Sequence, residues 1–262
     1  MTTTAQGSFH GPFDLTGRVA LVTGGNGGIG LGMARGMAKA GAAIMIAARN
    51  PQKTAAAVAE LAALGAKVEA LAVDVADPAA CRAMVETTRD RLGRLDVLVN
   101  NAGIALGGLP QAISVEDWSA VLQTNLTAAM IASQAAHPIM RAQGGGKIIN
   151  IGSMYSIFGG PFQPAYAAAK GGLVQLTKSQ AAAWARHNIQ VNVILPGWIT
   201  TEMTAGAKGS QGFSDNIVAR TPAGRWGEPE DFEGPAVFLA SPASDFVTGS
   251  SLAVDGGFAI SG

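Results

Sequence analysis

From residue 18 onward, short apolar runs alternate with longer segments of helical character, and this cadence restricts the fold more than any other feature of the chain. RVALVT (18–23), AIMIAA (43–48), KVEALAVDV (67–75), LDVLVNNAG (95–103), GKIINIGS (146–153), IQVNVILPG (189–197) and SLAVDGG (251–257) read as strands. Most are rich in Val and Ile, with little alternation of polar residues, as expected of strands buried on both faces. Helical segments separate them. One opens on Pro51 and stops at Gly65, and another carries Pro78 near its start. Proline is tolerated in a first turn, where its missing N–H costs nothing. Strand–helix–strand repetition implies a parallel sheet covered on both faces, an α/β architecture. A helical pattern over 114–142 contains Pro138, which is expected to kink or end it. Residues 204–212 are glycine-rich without a clear period.

The bulk properties narrow the function. The 262 residues contain no linker and no repeat, so a single domain from residue 14 to 262 is expected, preceded by a mobile polar arm over 1–13. Eighteen basic and eighteen acidic residues cancel, and no basic cluster stands out, which argues against nucleic-acid or membrane-surface partners. No apolar run approaches the ~18 residues of a membrane span, and the N-terminus lacks the pattern of a secretory signal. A cytoplasmic location follows as the expectation. Cys81 is the only cysteine, so no disulfide within the chain and no Cys-rich metal site is possible.

In folds of this kind, ligands bind beyond the C-terminal ends of the strands. The first such loop is TGGNGGIG (23–30). Gly25, Gly27 and Gly30 match G-x-G-x-x-G, while Gly24, Gly28 and Gly30 fit a wider T-G-x-x-x-G-x-G spacing. Either pattern lets backbone approach a pyrophosphate at a helix N-terminus. The second strand ends AARN: Ala48 stands where an NAD site usually places an acid, and Arg49 follows. That favours NADP, with NAD possible. Asp74, at the end of the third strand, is placed either to accept from an adenine amino group or to stabilise its own turn.

Further motifs follow in order. Asn101-Ala102-Gly103 closes the fourth strand, Asn125 lies in QTNL, Ser153 follows the fifth strand, Tyr166 and Lys170 form Y-x-x-x-K, and Pro196-Gly197 closes the sixth strand. With the glycine loop, this ordered set resembles the short-chain dehydrogenase/reductase family over nearly the whole chain. The resemblance implies a doubly wound parallel sheet of seven strands, Rossmann-like, with helices on both faces. It implies a catalytic set of Asn125, Ser153, Tyr166 and Lys170, with Asn125 anchoring a water on the proton path. Ile199 and Thr201 match positions that hold the nicotinamide carboxamide. The candidate cofactor set is Thr23, Gly24, Asn26, Gly28, Ile29, Gly30, Arg49, Asp74, Val75, Asn101, Ala102, Gly103, Tyr166, Lys170, Pro196, Gly197, Ile199 and Thr201. A homotetramer or homodimer is also implied, with the AYAAAK helix among its contacts.

The side chains suggest the chemistry. A phenol titrates near pKa ~10 and is a poor base at neutral pH unless shifted. Tyr166 and Lys170 are four apart, so they share a helix face, and the ammonium is expected to lower the phenol's pKa. Tyr166 then donates a proton to a carbonyl oxygen as hydride reaches its carbon, or the reverse with a secondary alcohol. The expected substrate wall comprises Ser153, Tyr155, Phe162, Trp198 and Met203, with Ile104, Leu106 and Met154 beside it. Tyr155 is read as shaping this pocket. Lys208 and Arg220 are the nearest cations, in the loop that follows, and so apolar a lining favours a neutral ketone or secondary alcohol over a highly charged acid, with reduction of a ketone as the main reading. Against it, FDLTGRVALVTGGNGGIG is similar to the opening of sugar-acid dehydrogenases acting on gluconate or deoxygluconate, and also of 3-oxoacyl-carrier reductases. A cofactor-binding scaffold or sensor is the non-enzyme alternative. His10, His137 and His187 are scattered without metal-ligand or nucleophile–base spacing.

Overall fold

The computed structural model describes residues 11–261, so the expected arm lies largely outside the described residues. At its end, Ala243 N donates to Pro12 O at 2.9 Å. Seven parallel strands form one sheet: β1 (Val19–Thr23), β2 (Ala43–Ala48), β3 (Val68–Ala72), β4 (Val97–Asn100), β5 (Gly146–Ile151), β6 (Ile189–Pro196) and β7 (Ser251–Val254). Their spatial order is β3-β2-β1-β4-β5-β6-β7. The order reverses direction between β1 and β4, where Ala20 lies opposite Val97 and Val22 opposite Val99. A crevice opens at such a reversal, at the C-terminal ends of the strands.

Local chemistry starts and stops the helices. Helix α1 (Gly28–Lys39) begins at the glycine loop with Gly27 as its N-cap and no side-chain cap. Asn50 caps α2 (Pro51–Ala63) by accepting from Lys53 N, and Asp77 caps α3 (Pro78–Leu92) by accepting from Ala79 N at 2.8 Å. Both helices have proline in the first turn, as the sequence predicts. Successive β1 residues point to opposite faces. Ala20 and Val22 join Met33, Met37, Ile46 and Leu61 in one core. Leu21 joins Met45, Met84, Val85, Ile131 and Met140 in the other. Each large side chain in these cores is fully buried or nearly so, and truncating one to Ala is expected to cost about 2–5 kcal/mol.

Three elements depart from the sequence expectations. The 114–142 region is not one helix: α4 (Val115–Leu122) passes through a π-helical segment, Gln123–Thr127, into α5 (Ala128–Ala142). Pro138 neither ends α5 nor leaves its solvent-facing surface, while Ile139 and Met140 beyond it remain buried. The carbonyl it leaves without an N–H partner belongs to exposed Gln134, where water can replace the lost bond. After α6 (Pro164–Trp184), the glycine-rich stretch is helical too, as α7 (Ala205–Gly209) and α8 (Gln211–Arg220). Tertiary packing holds α8: its Ile217 enters an apolar cluster with Trp226, Leu195 and Phe258. Helix α9 (Glu233–Ala240) completes the set. No helix among the described residues is long and apolar enough to cross a membrane.

Candidate active site

A cavity of about 930 Å³ opens above the C-terminal ends of the strands. Its first wall is the glycine loop, through Gly24, Asn26, Gly27, Gly28 and Ile29. Gly24 and Gly28 adopt positive φ, 64° and 50°, which selects the wider glycine spacing over G-x-G-x-x-G. Gly30 lies behind the loop. A Cβ there would meet Gly24 O at 2.4 Å and Asn101 Nδ2 at 2.5 Å. That space is needed because Asn101 Nδ2 donates to Thr23 O and Gly24 O, at 2.9 and 3.2 Å, tying the loops after β1 and β4 together. The first turn of α1 has neither a capping side chain nor an acid, so its free N–H groups suit an anionic ligand.

Ser153, at the end of β5, and Tyr166 and Lys170, on the first turns of α6, share the opposite wall. Ser156 joins these elements: its Oγ accepts from Ser153 N at 3.2 Å and donates to Lys170 O at 2.9 Å. Deeper in, Asn150 Nδ2 donates to Thr177 Oγ1 at 2.8 Å, fastening α6 to β5. Burial pushes the Tyr166 phenol up to about 12; its hydrogen bond with Ser153 opposes the rise and nearby Tyr155 adds to it. Burial brings the Lys170 ammonium down to about 8. The expectation that Lys170 depresses the phenol is therefore corrected. The ammonium donates to Ile151 O at 2.6 Å, and Nζ lies 5.5 Å from the Tyr166 ring centroid. Desolvation dominates both groups, because each leaves water without an adjacent counter-charge.

Asn125 sits in the π-helical segment and is buried. Its side chain exchanges two hydrogen bonds with the Ile104 backbone, both 2.8 Å. It also borders a separate void of about 10 Å³ with Thr23 and Asn100, a volume close to that of one water.

The structure divides the remaining candidates. Asn101, Ala102, Gly103, Pro196, Gly197, Ile199, Thr201, Tyr155, Trp198 and Met203 line the cavity, as does Met154. Thr23 does not: its buried hydroxyl accepts from Asn101 N and Ala102 N, at 3.0 and 3.1 Å, and so shapes the β4 loop. Val75 is a core residue. Asp74 accepts from Ala76 N at 3.0 Å, stabilising its own turn, and lies 3.8 Å from Arg49 in an exposed pair. Arg49 is outside the cavity wall, and its side chain is 67% exposed. Phe162 is corrected as a substrate residue: it is 61% exposed and faces away from the lining. Ile104 and Leu106 pack against Val121 and Ala165.

Arg220, read from the sequence as a cation near the substrate, is on the wall, and further wall residues escaped sequence reasoning. Lys53 of α2 and Glu202, in the loop after β6, form an ion pair across the cavity mouth. Phe158, Phe213, Ile217, Arg220 and Phe258 also line the cavity, and Phe158 packs against the cluster that holds Ile217 and Phe258. Trp198 stacks edge-on with Phe213 and Trp226 at 5.1 and 5.7 Å between centroids, and Tyr155 meets Tyr166 edge-on at 6.1 Å. Gln163 is also on the wall, and its side-chain oxygen lacks a hydrogen-bond partner. Cys81 is buried, which pushes its thiol up to about 11. His137 and His187 approach at 3.1 Å, and neither lines the cavity.

Comparison with known proteins agrees with this geometry. A family model described as enoyl-(acyl carrier protein) reductase matches residues 24–259. The 2-dehydro-3-deoxy-D-gluconate 5-dehydrogenase of Dickeya dadantii is 42% identical over 248 residues, 94% of this chain and 97% of the relative. The gluconate 5-dehydrogenase of Gluconobacter oxydans is 41% identical over 249 residues, 95% of this chain and 97% of that one. Among solved structures, a gluconate 5-dehydrogenase from Burkholderia cenocepacia, in complex with NADP and tartrate, superposes with a TM-score of 0.92 at 43% identity, covering 97% of this chain and 99% of its own.

Proposed function

The chain belongs to the short-chain dehydrogenase/reductase family, and from that premise we propose that it interconverts a secondary alcohol and a ketone on a sugar acid, with NADP as its cofactor. One observation carries the reading: Ser153, Tyr166 and Lys170 line the same cavity as the glycine loop. The fit to a dinucleotide rests on this chain's own backbone. Gly24, Gly27 and Gly28 line the cavity with bare backbone, a Cβ at Gly27 would stand in open space, and the N-terminal turn of α1 offers free N–H groups to a pyrophosphate. Arg49, beyond the end of β2 and 67% exposed, is the cation at hand for a 2′-phosphate, Lys53 being paired with Glu202; relatives of this chain are recorded with bound NADP. Asn101, Ala102 and Gly103 would border the adenosine side, and Ile199 and Thr201 the nicotinamide.

When bound, the nicotinamide accepts or supplies the hydride. The protein supplies position and a proton route. Ser153 holds the substrate oxygen against the phenol. In reduction the protonated Tyr166 phenol gives its proton to the carbonyl oxygen as the carbon takes the hydride; in oxidation it takes the hydroxyl proton while releasing its own toward Lys170 as the carbinol C–H bond breaks. Lys170, kept near neutral titration by its burial, can pass the proton onward from the phenol. Asn125 braces the loop after β4 through Ile104, which keeps the cavity floor beside Lys170 in place.

The sugar-acid assignment takes its substrate class from the relatives, whose names specify gluconate and deoxygluconate derivatives. It is compatible with the expected ketone chemistry, since a keto-gluconate is itself a ketone, and adds a carboxylate to the substrate. The decisive assay is oxidation of D-gluconate with NADP⁺, and reduction of 5-keto-D-gluconate with NADPH, by wild type and Tyr166→Phe. Loss of the proton donor should lower kcat by about 10²–10⁴-fold with NADPH affinity unchanged. Turnover of Tyr166→Phe within about twofold of wild type would reject the phenol as the acid.

A further inference from the structure

We propose that Arg220 binds the carboxylate of the substrate and is the residue by which the enzyme selects acids over neutral polyols. This deepens, and rests on, the sugar-acid reading above. Arg220 is the last residue of α8 and lines the cavity. Its guanidinium carbon lies 4.1 Å from the Phe258 ring centroid and 5.5 Å from that of Phe158. Phe158 belongs to the loop after β5 that also carries Ser153 and Tyr155, and Phe258 follows β7. Two walls of the cavity therefore hold one cation between them. A guanidinium against aromatic faces is oriented by their quadrupoles while its N–H groups remain free to donate.

Those donors have no protein partner. Among the described residues, no carboxylate forms an ion pair with Arg220 and no acceptor takes a hydrogen bond from its side chain. Arg225 shows the contrast. It is forked onto Asp231, with bonds of 2.7 and 2.8 Å. Nor does Arg220 serve as a cap for α8. Thr221 Oγ1 donates to Ile217 O at 2.7 Å, and Ser261 Oγ donates to Arg220 O at 2.6 Å, so other side chains occupy those carbonyls.

The other cations of the cavity are committed. Lys53 pairs with Glu202, and Lys170 donates to Ile151 O. Beside Arg220 the wall is apolar: the rings of Phe158 and Phe258 flank it, and Ile217, three residues earlier on α8, shares a cluster with Phe258. An anion entering beside Arg220 loses water and regains a charged hydrogen bond only at the guanidinium, whose planar fork matches a carboxylate bidentately. A neutral hydroxymethyl group gains little there. The reacting carbon must lie at Ser153 and Tyr166, whereas Arg220 reaches the same cavity from α8, so the carboxylate it holds is a part of the substrate distinct from the reacting carbon. A sugar acid oxidised away from its carboxylate meets that requirement.

D-Gluconate and D-glucitol form a matched pair, differing only in carboxylate versus hydroxymethyl, and both are assayed with NADP⁺ on wild type, Arg220→Met and Arg220→Lys. Wild type should prefer gluconate. Arg220→Met should raise KM for gluconate about 100-fold with kcat little changed, the signature of lost uniform binding, and leave glucitol oxidation within about threefold. Arg220→Lys should recover part of the loss, since it restores the charge without the fork. NADPH titration of each variant verifies the fold. A preference for gluconate that survives in Arg220→Met overturns this assignment alone, as does an equal loss on both substrates. A wild type that oxidises polyols or simple alcohols but shows no preference for acids removes this assignment and the sugar-acid reading together, while leaving hydride transfer through Tyr166 intact.

Discussion

Replacing Lys170 with Met should make the protein more stable at neutral pH while removing its activity. Lys170 is 3% exposed, and burial lowers its ammonium to about 8 from the 10.5 of a free lysine. Below pH 8 both folded and unfolded chains carry the proton, so the folded state bears the full burial penalty of about 3 kcal/mol. Between pH 8 and 10.5 the unfolded chain binds more protons than the folded one, so wild-type stability rises with pH. By pH 10 the residual penalty is about 1 kcal/mol. Methionine has a similar length and no charge, so Lys170→Met removes this dependence. It also loses the 2.6 Å bond to Ile151 O, at a cost of about 1 kcal/mol. The variant should therefore exceed wild type by about 2 kcal/mol at pH 7, and the gap should close to about zero by pH 10. Tyr166 is raised from 10 to about 12 on folding, so it begins to cost stability only as the unfolded phenol ionises near pH 10, and both proteins share that cost. Urea unfolding without added nucleotide at pH 7, 8, 9 and 10 reads the two curves directly. A variant less stable than wild type at pH 7, or a gap that stays constant with pH, would refute the argument that burial controls this lysine.

Gly30→Ala should weaken NADPH binding by at least about tenfold, because overpacking of about 1–3 kcal/mol falls on the loop that Asn101 fastens. Fluorescence titration tests it, and an unchanged affinity would mean that the loop has room the distances deny. Arg49→Asp should shift the preference from NADPH toward NADH by about tenfold or more, as a 2′-phosphate would then face an acid. Its melting temperature should stay the same, since the 3.8 Å pair with Asp74 is exposed. An unaltered cofactor preference would clear Arg49 of that role and leave Lys53 to be tested.

Much of the fold was legible because its causes are local. Each strand is a short run dominated by apolar residues, and Pro51 and Pro78 with their capping Asn50 and Asp77 mark helix starts within a few residues. The glycine loop was equally plain, although only backbone conformation distinguished its two possible spacings: Gly24 and Gly28 take the positive φ values. Where the causes are non-local, the reading stopped short. Helix α8 has few apolar residues of its own and is held by Ile217 meeting Trp226 and Phe258. The π-helical turn at Asn125 leaves no mark in composition, and Pro138 is tolerated because of where α5 meets water.

The site divides along the same line. Spacing alone puts Tyr166 and Lys170 on one helix face, since four residues make about one turn, and strand ends bring Ser153 and the glycine loop to the same edge of the sheet. Burial is a property of the packed whole, and it determined the titration of that pair: the lysine is desolvated and bonded to Ile151 O, and the phenol is raised where helix spacing predicted that it would be lowered. Tertiary packing likewise turned Phe162 outward and gathered Phe158, Arg220 and Phe258 from distant parts of the chain on the wall of one cavity. Local sequence determines which groups can do chemistry, because chemistry resides in side chains and short-range geometry. The folded structure decides which of them leave water and which face each other, because both depend on contacts between segments remote in sequence.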